Sequence, residues 1–147
     1  MAVTVTRKLE FDAAHRLLNH EGKCRHLHGH RYVAEITCVA DELDSVGRVI
    51  DFSVIKRLVG GWIDENWDHN IILNTEDPLL NLPMKLNGAI FARKEPAVVT
   101  FNPTAENMAK SLYNLSKRLL RQHGVNVVSI KLWETPNCFA IYEPEEE

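Results

Sequence analysis

The chain has 147 residues, 45% of them hydrophobic and 25% charged, with a formal net charge of −3. This is an ordinary balance for a globular protein, long enough for one domain (1–147) with a sizeable core. The absence of a basic block argues against nucleic acid as a partner, and no apolar run approaches the ~20 residues that span a bilayer.

Residues 1–15 lack the basic start and apolar centre of a signal peptide. The three cysteines are scattered and read as reduced thiols. A cytoplasmic location is expected.

Residues 3 to 15 read as a strand. Val3, Val5, Leu9, Phe11 and Ala13 are apolar, and the alternating Thr4, Thr6, Lys8, Glu10 and Asp12 are polar. His15 continues the apolar, inward parity. A second strand runs from about His28 to Ala40, with Tyr32, Ala34, Ile36 and Cys38 sharing the parity of His28 and His30. If these strands pair, His15, His28 and His30 meet at one end of an apolar face. Neutral imidazole is a good zinc ligand, and three protein ligands with one open position describe a catalytic site.

Cys24 precedes the pair and is open to two readings, a fourth ligand or a base; near a cation its thiolate is favoured. His26 shares the parity of His28 and His30, and His20 is a further candidate ligand.

A polar turn covers Asp41 to Gly47, and a helix follows from about Asp51 to Trp67, capped by Asp51 or Ser53. Phe52, Ile55, Val59, Trp62 and Ile63 form its stripe. Gly60 and Gly61 should each cost about 1 kcal/mol relative to alanine, so either a close contact or a break is expected there. Asp68-His69 lies at the end of this helix, and its members can cooperate only just past the last turn. There a carboxylate would fix the tautomer of an imidazole; the plain alternative is a helix-terminal histidine.

Residues 75–101 contain Pro78, Pro83 and Pro96, with the short apolar runs Ala89-Ile90-Phe91 and Val98-Val99-Thr100-Phe101. They are expected to form an ordered insertion, a small hairpin over the site or at a subunit contact.

The second helix is capped by Thr104, carries the stripe Ala105, Met108, Ala109, Leu112, Leu115 and Leu119, and closes at His123-Gly124. A third strand, Val125 to Glu134, and a fourth, Cys138 to Glu143, flank Pro136-Asn137. Glu134 continues the parity of Val128, Ile130 and Leu132. It either turns out to solvent or receives a ligand with two adjacent N–H donors, such as a pterin or guanine ring. The acidic tail 143–147 is expected to be solvated. The order strand-strand-helix-helix-strand-strand predicts an α+β fold, a four-stranded antiparallel sheet with two helices on one face.

Together these residues resemble the 6-pyruvoyltetrahydropterin synthase / 6-carboxytetrahydropterin synthase family. The resemblance runs from Phe11-Asp12-Ala13-Ala14-His15-Arg16-Leu17 through Cys24, His28-Gly29-His30 and Val49-Ile50-Asp51-Phe52. It continues through Asp68-His69-Asn70 and Pro103-Thr104-Ala105-Glu106-Asn107 to Trp133-Glu134-Thr135.

It implies the tunnelling fold, with sheets from three subunits joined in a barrel and two trimers stacked as a homohexamer. It implies zinc on His15, His28 and His30, Cys24 as proton acceptor, and His69 with Asp68 as the second acid/base group. Glu134 would anchor the pterin, and Thr104 and Glu106 would help form its pocket; His26 aligns with a position that is not a ligand.

The implied substrate is 7,8-dihydroneopterin triphosphate. Loss of triphosphate alone gives the 6-pyruvoyl product; further loss of acetaldehyde gives 6-carboxytetrahydropterin, a precursor of the 7-deazaguanine base queuosine. The three residues between Cys24 and His28 resemble the bacterial carboxy-forming branch. A zinc/pterin-binding protein without turnover, and a zinc hydrolase, are the alternatives. The first has no need of Cys24 or His69, the second none of Cys24.

Overall fold

The computed structural model describes residues 3–81 and 95–145. Among them, six strands form one mixed sheet in the order β4-β3-β1-β2-β5-β6. The strands are β1 Thr4–His15, β2 His28–Val39, β3 Asn70–Asn74, β4 Ala97–Val99, β5 Asn126–Thr135 and β6 Cys138–Tyr142. β1-β2, β2-β5 and β5-β6 pair antiparallel, the four-stranded unit anticipated from the sequence. The expectation of four strands needs correction, because β3 adds in parallel to the free side of β1 and β4 in parallel to β3.

These added strands are five and three residues long, too short to register as alternation. The parallel pairing explains the long link between β3 and β4, since parallel neighbours cannot be joined by a tight turn. Of the expected extra hairpin, Val98 and Val99 lie in β4, whose partner is β3; Pro83 and Ala89-Ile90-Phe91 lie outside the described residues.

The alternation in β1 and β2 follows the sequence pattern. Leu9, Phe11, Ala13 and His15 are buried, as are Tyr32, Ala34, Ile36 and Cys38. Val3 is the exception, largely exposed beyond the start of β1. In β5 the expected parity shifts: Val127, Ile130 and Leu132 are buried and Val128 is only partly covered. The cause is a register shift opposite Thr37/Cys38, which places an extra residue between the two halves of the strand.

Two helices cover this buried face. The first, 52–66, starts at Asp51, whose carboxylate accepts the Ser53 N–H. It is interrupted by a π-helical turn, Lys56–Gly60. A Cβ at Gly60 would stand 3.3 Å from Leu9 Cδ2, whereas Gly61 faces open space. Gly60 is therefore the contact that lets helix and β1 approach. Ile55, Val59, Ile63 and Trp67 are buried, and Phe52, expected in the stripe, is half-exposed.

The second helix, Ala105–Leu120, packs on β5 and β6, and Thr104 Oγ1 accepts the Asn107 N–H at its start. Met108, Ala109, Leu112 and Leu115 are buried as the spacing requires, with Leu120 rather than Leu119 fully covered. Gly124 closes it with φ 71°, the left-handed conformation that glycine adopts without strain. Among the described residues no helix is long and apolar enough to cross a membrane.

Leu112 is fully buried on the second helix, so Leu112→Ala should destabilise the protein by about 2–5 kcal/mol. Exposed Lys110→Ala should stay within about 0.5 kcal/mol. Urea unfolding of the two variants checks the difference.

Candidate functional site

The β1–β2 register sets His15 opposite His28 and Ala13 opposite His30, so three imidazoles cluster at one end of the buried face. Their ring centroids are 4.7, 5.1 and 4.9 Å apart, and one donor nitrogen from each lies within 4.8 Å of the others.

Backbone carbonyls fix two of the rings. His15 Nδ1 donates to the Pro103 carbonyl at 2.7 Å, and His28 Nδ1 donates to the His26 carbonyl at 2.6 Å. In the neutral rings both Nε2 atoms then carry lone pairs, and these face each other at 3.1 Å. His30 Nε2 is buried without a hydrogen-bond partner among the described residues, and Glu134 Oε1 is 3.5 Å away. Two opposed lone pairs and an orphaned third nitrogen are what a bound divalent cation would satisfy, so the donor set fits a metal of imidazole preference.

Electrostatics favour the ligand form. Burial lowers the His15 pKa to about 4; the neighbouring His28 and His30 act the same way, against the Pro103 hydrogen bond. Burial also lowers His30, opposed by the Glu134 carboxylate. Both rings are held toward the neutral state that binds metal.

Tyr32 completes the floor. Its ring stacks on Phe11 at 4.9 Å, and its hydroxyl lies 3.2 Å from His15 Nδ1. Burial, then the charges of Glu134 and Cys24, raise the hydroxyl pKa well above its ordinary value, so it remains protonated.

The loop after β1 carries Cys24 in a short 3-10 turn, Lys23–Arg25, half-buried. Its sulfur is not part of the three-nitrogen cluster. His20 Nδ1 accepts the Gly22 N–H at 2.8 Å, and His26 points to solvent while lending its carbonyl to His28. Neither ring joins the cluster.

Arg16 anchors the loop through two bonds to Asp77, 2.7 and 2.6 Å long. The Asp77 side chain is 0% exposed. Burial alone would raise its pKa, but the Arg16 guanidinium and the Leu79 N–H hold the carboxyl below the usual range.

Glu134 sits where a second register shift interrupts β5–β6 pairing. Its carboxylate lies between two cavities. One, of about 460 Å³, is lined by Ala105, Glu106, Glu134, Cys138 and Phe139 among others. The second, of about 480 Å³, includes His30, Glu134, Trp133, Lys8 and Arg31. Glu134 thus stands near both His30 and the start of the second helix. Glu106 shares the first cavity; Thr104 does not line it, its hydroxyl serving as the helix cap.

Asp68 and His69 meet just past the first helix, as adjacency requires. His69 adopts a left-handed φ of 57°, which turns its Nδ1 to 2.9 Å from Asp68 Oδ2. Asp68 Oδ1 accepts the Asp12 N–H, and the His69 N–H donates to the Asp12 carbonyl. Asp12, Asp68 and His69 form a group distinct from the three histidines. It lies by the polar parity of β1, with the His69 side chain 66% exposed.

Sequence reasoning passed over Tyr32 as a polar tip, the Pro103 carbonyl, Asn102 and the Arg16–Asp77 pair. A tyrosine at the inward parity next to His30 was the one readable signal. The others are contacts between distant segments.

The description "6-pyruvoyl tetrahydropterin synthase" belongs to the family model that matches residues 4–145. The 6-carboxy-5,6,7,8-tetrahydropterin synthase of Rickettsia bellii is 44% identical, over 93% of this chain and 97% of that protein. The enzyme of the same name from Haemophilus influenzae is 35% identical, over 95% and 97%. Among solved structures, an uncharacterized Wolinella succinogenes protein superposes with TM-score 0.82 at 25% identity, covering 99% of each chain. The Caenorhabditis elegans 6-pyruvoyl tetrahydropterin synthase superposes with TM-score 0.70 at 23% identity, over 99% of this chain and 97% of that one. With the match spanning nearly its whole length, this chain belongs to the 6-pyruvoyl tetrahydropterin synthase family.

Proposed function

We propose that the protein is a zinc-dependent lyase that converts 7,8-dihydroneopterin triphosphate to 6-carboxy-5,6,7,8-tetrahydropterin, releasing acetaldehyde and triphosphate. The observation that carries this reading is the three-imidazole cluster with two tautomers fixed by carbonyls, in a chain 44% identical to a protein of that name.

His15, His28 and His30 would hold zinc, which when bound supplies Lewis acidity toward the hydroxyl oxygens of the substrate side chain. Cys24 accepts a proton from the adjacent carbon. Its separation from the nitrogen cluster suits a base better than a ligand. Glu134 would receive paired N–H donors of the pterin ring and so bring the substrate side chain toward the histidines, a positioning effect. Glu106 shares its cavity, and Thr104 contributes by fixing the helix start that carries Glu106.

His69, oriented by Asp68, moves protons on the opposite side of the substrate. The exposed His69 ring and the separate histidine cluster call for assembly: His69 serves the site of a neighbouring copy. The sheet supports such assembly, ending in strands β4 and β6, with Val98, Phe139 and Ile141 about half-exposed. The assembly we infer is the homohexamer of two stacked trimers, acting on a small pterin triphosphate in the cytoplasm.

Cys24→Ala should abolish turnover while elemental analysis still finds one zinc per chain. Loss of zinc in step with activity would instead make Cys24 a ligand. Glu134→Gln should weaken pterin binding by about tenfold or more, the worth of a charge-assisted hydrogen bond; calorimetric titration with the substrate's pterin ring reads it. Mixing inactive Cys24→Ala and inactive His69→Ala subunits through mild dissociation should restore part of the wild-type rate. A mixture as inactive as its parents would place both residues in one subunit's site. Product mass analysis separates the 6-carboxy from the 6-pyruvoyl outcome.

A further inference from the structure

Three parts of the site are joined at Asn102, which neither the family motif nor the mechanism above employs. Its side-chain oxygen accepts the Leu18 N–H at 2.8 Å, and its side-chain nitrogen donates to the Leu18 carbonyl at 3.0 Å. This is a two-bond pairing of the kind strands make, built by one amide. The Asn102 carbonyl accepts the Thr104 N–H at 2.7 Å and Asn107 Nδ2 at 3.0 Å, which fixes Asn102 to the start of the second helix.

Two consequences follow from neighbouring residues. Pro103, directly after Asn102, is buried and presents the carbonyl that orients His15. Leu17, directly before the clamped Leu18, donates its N–H to the Cys24 carbonyl at 2.8 Å. One side chain therefore sets the distance between the His15-orienting carbonyl and the loop that carries Cys24.

The residue type is closely specified. Asparagine offers a donor and an acceptor at this reach. Aspartate of the same size lacks the donor, and alanine lacks both.

We infer that Asn102 is a positioning residue: its clamp on Leu18 holds the Pro103 carbonyl against His15 and fixes the start of the loop to which the Cys24 carbonyl is bonded. The inference rests on the reading of that cluster as a metal centre. Groups that orient a ligating imidazole typically account for about 10–100-fold in metal affinity, which is the size of effect to look for.

The test compares wild type with Asn102→Asp, Asn102→Ala and Asn107→Ser, the last removing a support of Asn102 itself. Zinc affinity is measured by competition with a chromogenic chelator, and the metal geometry by the visible absorption of the cobalt-loaded protein. Asn102→Asp keeps its bond from Leu18 N–H but sets a carboxylate oxygen against the Leu18 carbonyl. It should weaken zinc binding by about tenfold and shift the cobalt bands at an unchanged circular dichroism spectrum. Asn102→Ala should do more and Asn107→Ser less. With substrate, kcat should fall more than KM rises, because Glu134 lies on β5, outside the clamp.

Variants that bind zinc as tightly as wild type, with its cobalt spectrum, would overturn the inference, whatever their melting temperature. Should Asn102→Ala not fold, the isosteric Asn102→Asp decides the matter alone. Wild-type protein binding neither zinc nor cobalt would overturn the metal-centre reading and this inference with it; wild-type binding with unaltered variants sinks this inference only.

Discussion

The antiparallel register of β1 on β2 is the constraint on which the site depends. Side chains alternate with period two, so a slip of one residue would carry one strand's histidines to the opposite face. The register is held by the apolar residues behind the imidazoles: Leu9, Phe11 and Ala13 on one strand, Tyr32, Ala34 and Ile36 on the other, all buried. Burial of ordinary aliphatic and aromatic surface thus aims the chemical groups. The same burial keeps His15 and His30 toward the neutral form, so packing determines the position of the three imidazoles and the protonation of two of them.

How legible the molecule was in its sequence depended on how local the governing interaction is. Alternation in the first two strands, the Asp51 and Thr104 caps and the left-handed Gly124 are all decided within a few residues, and all could be read directly. The juxtaposition of His15, His28 and His30 needed one further step, the pairing of neighbouring strands.

The parity of β5 breaks at Val128, and the register shift against β2 that causes it leaves no mark in composition. β3 leaves no sign, because a run such as Ile71-Ile72-Leu73 is too short to distinguish from an apolar loop segment, and Val98-Val99, expected in a hairpin, pairs instead with β3 in parallel. The clamp of Asn102 on Leu18 spans 84 residues, and no pattern along the chain announces it. Family resemblance supplied roles for Cys24, Asp68, His69 and Glu134 that spacing alone left open.

The segments that follow β3 and β4 and the loop after β1 look like separate decorations of the sheet, yet they are fastened to each other. Arg16 extends from the end of β1, beside His15, to Asp77 at the beginning of the β3–β4 crossover, and Asn102 beyond the crossover returns to Leu18. Residues just after β3 and just after β4 therefore both hold the start of the Cys24 loop. Parallel pairing makes a long connection obligatory, and Asp77 and Asn102 on either side of it frame the site.

The Arg16–Asp77 pair has an evolutionary corollary. The Asp77 carboxylate is wholly enclosed whereas Arg16 reaches solvent, so removing Arg16 strands the carboxylate in a dry setting, a penalty of about 3–5 kcal/mol. Exchanging both for well-fitted apolar residues would be close to neutral. Change at Arg16 alone should therefore be harder than an exchange of both positions together.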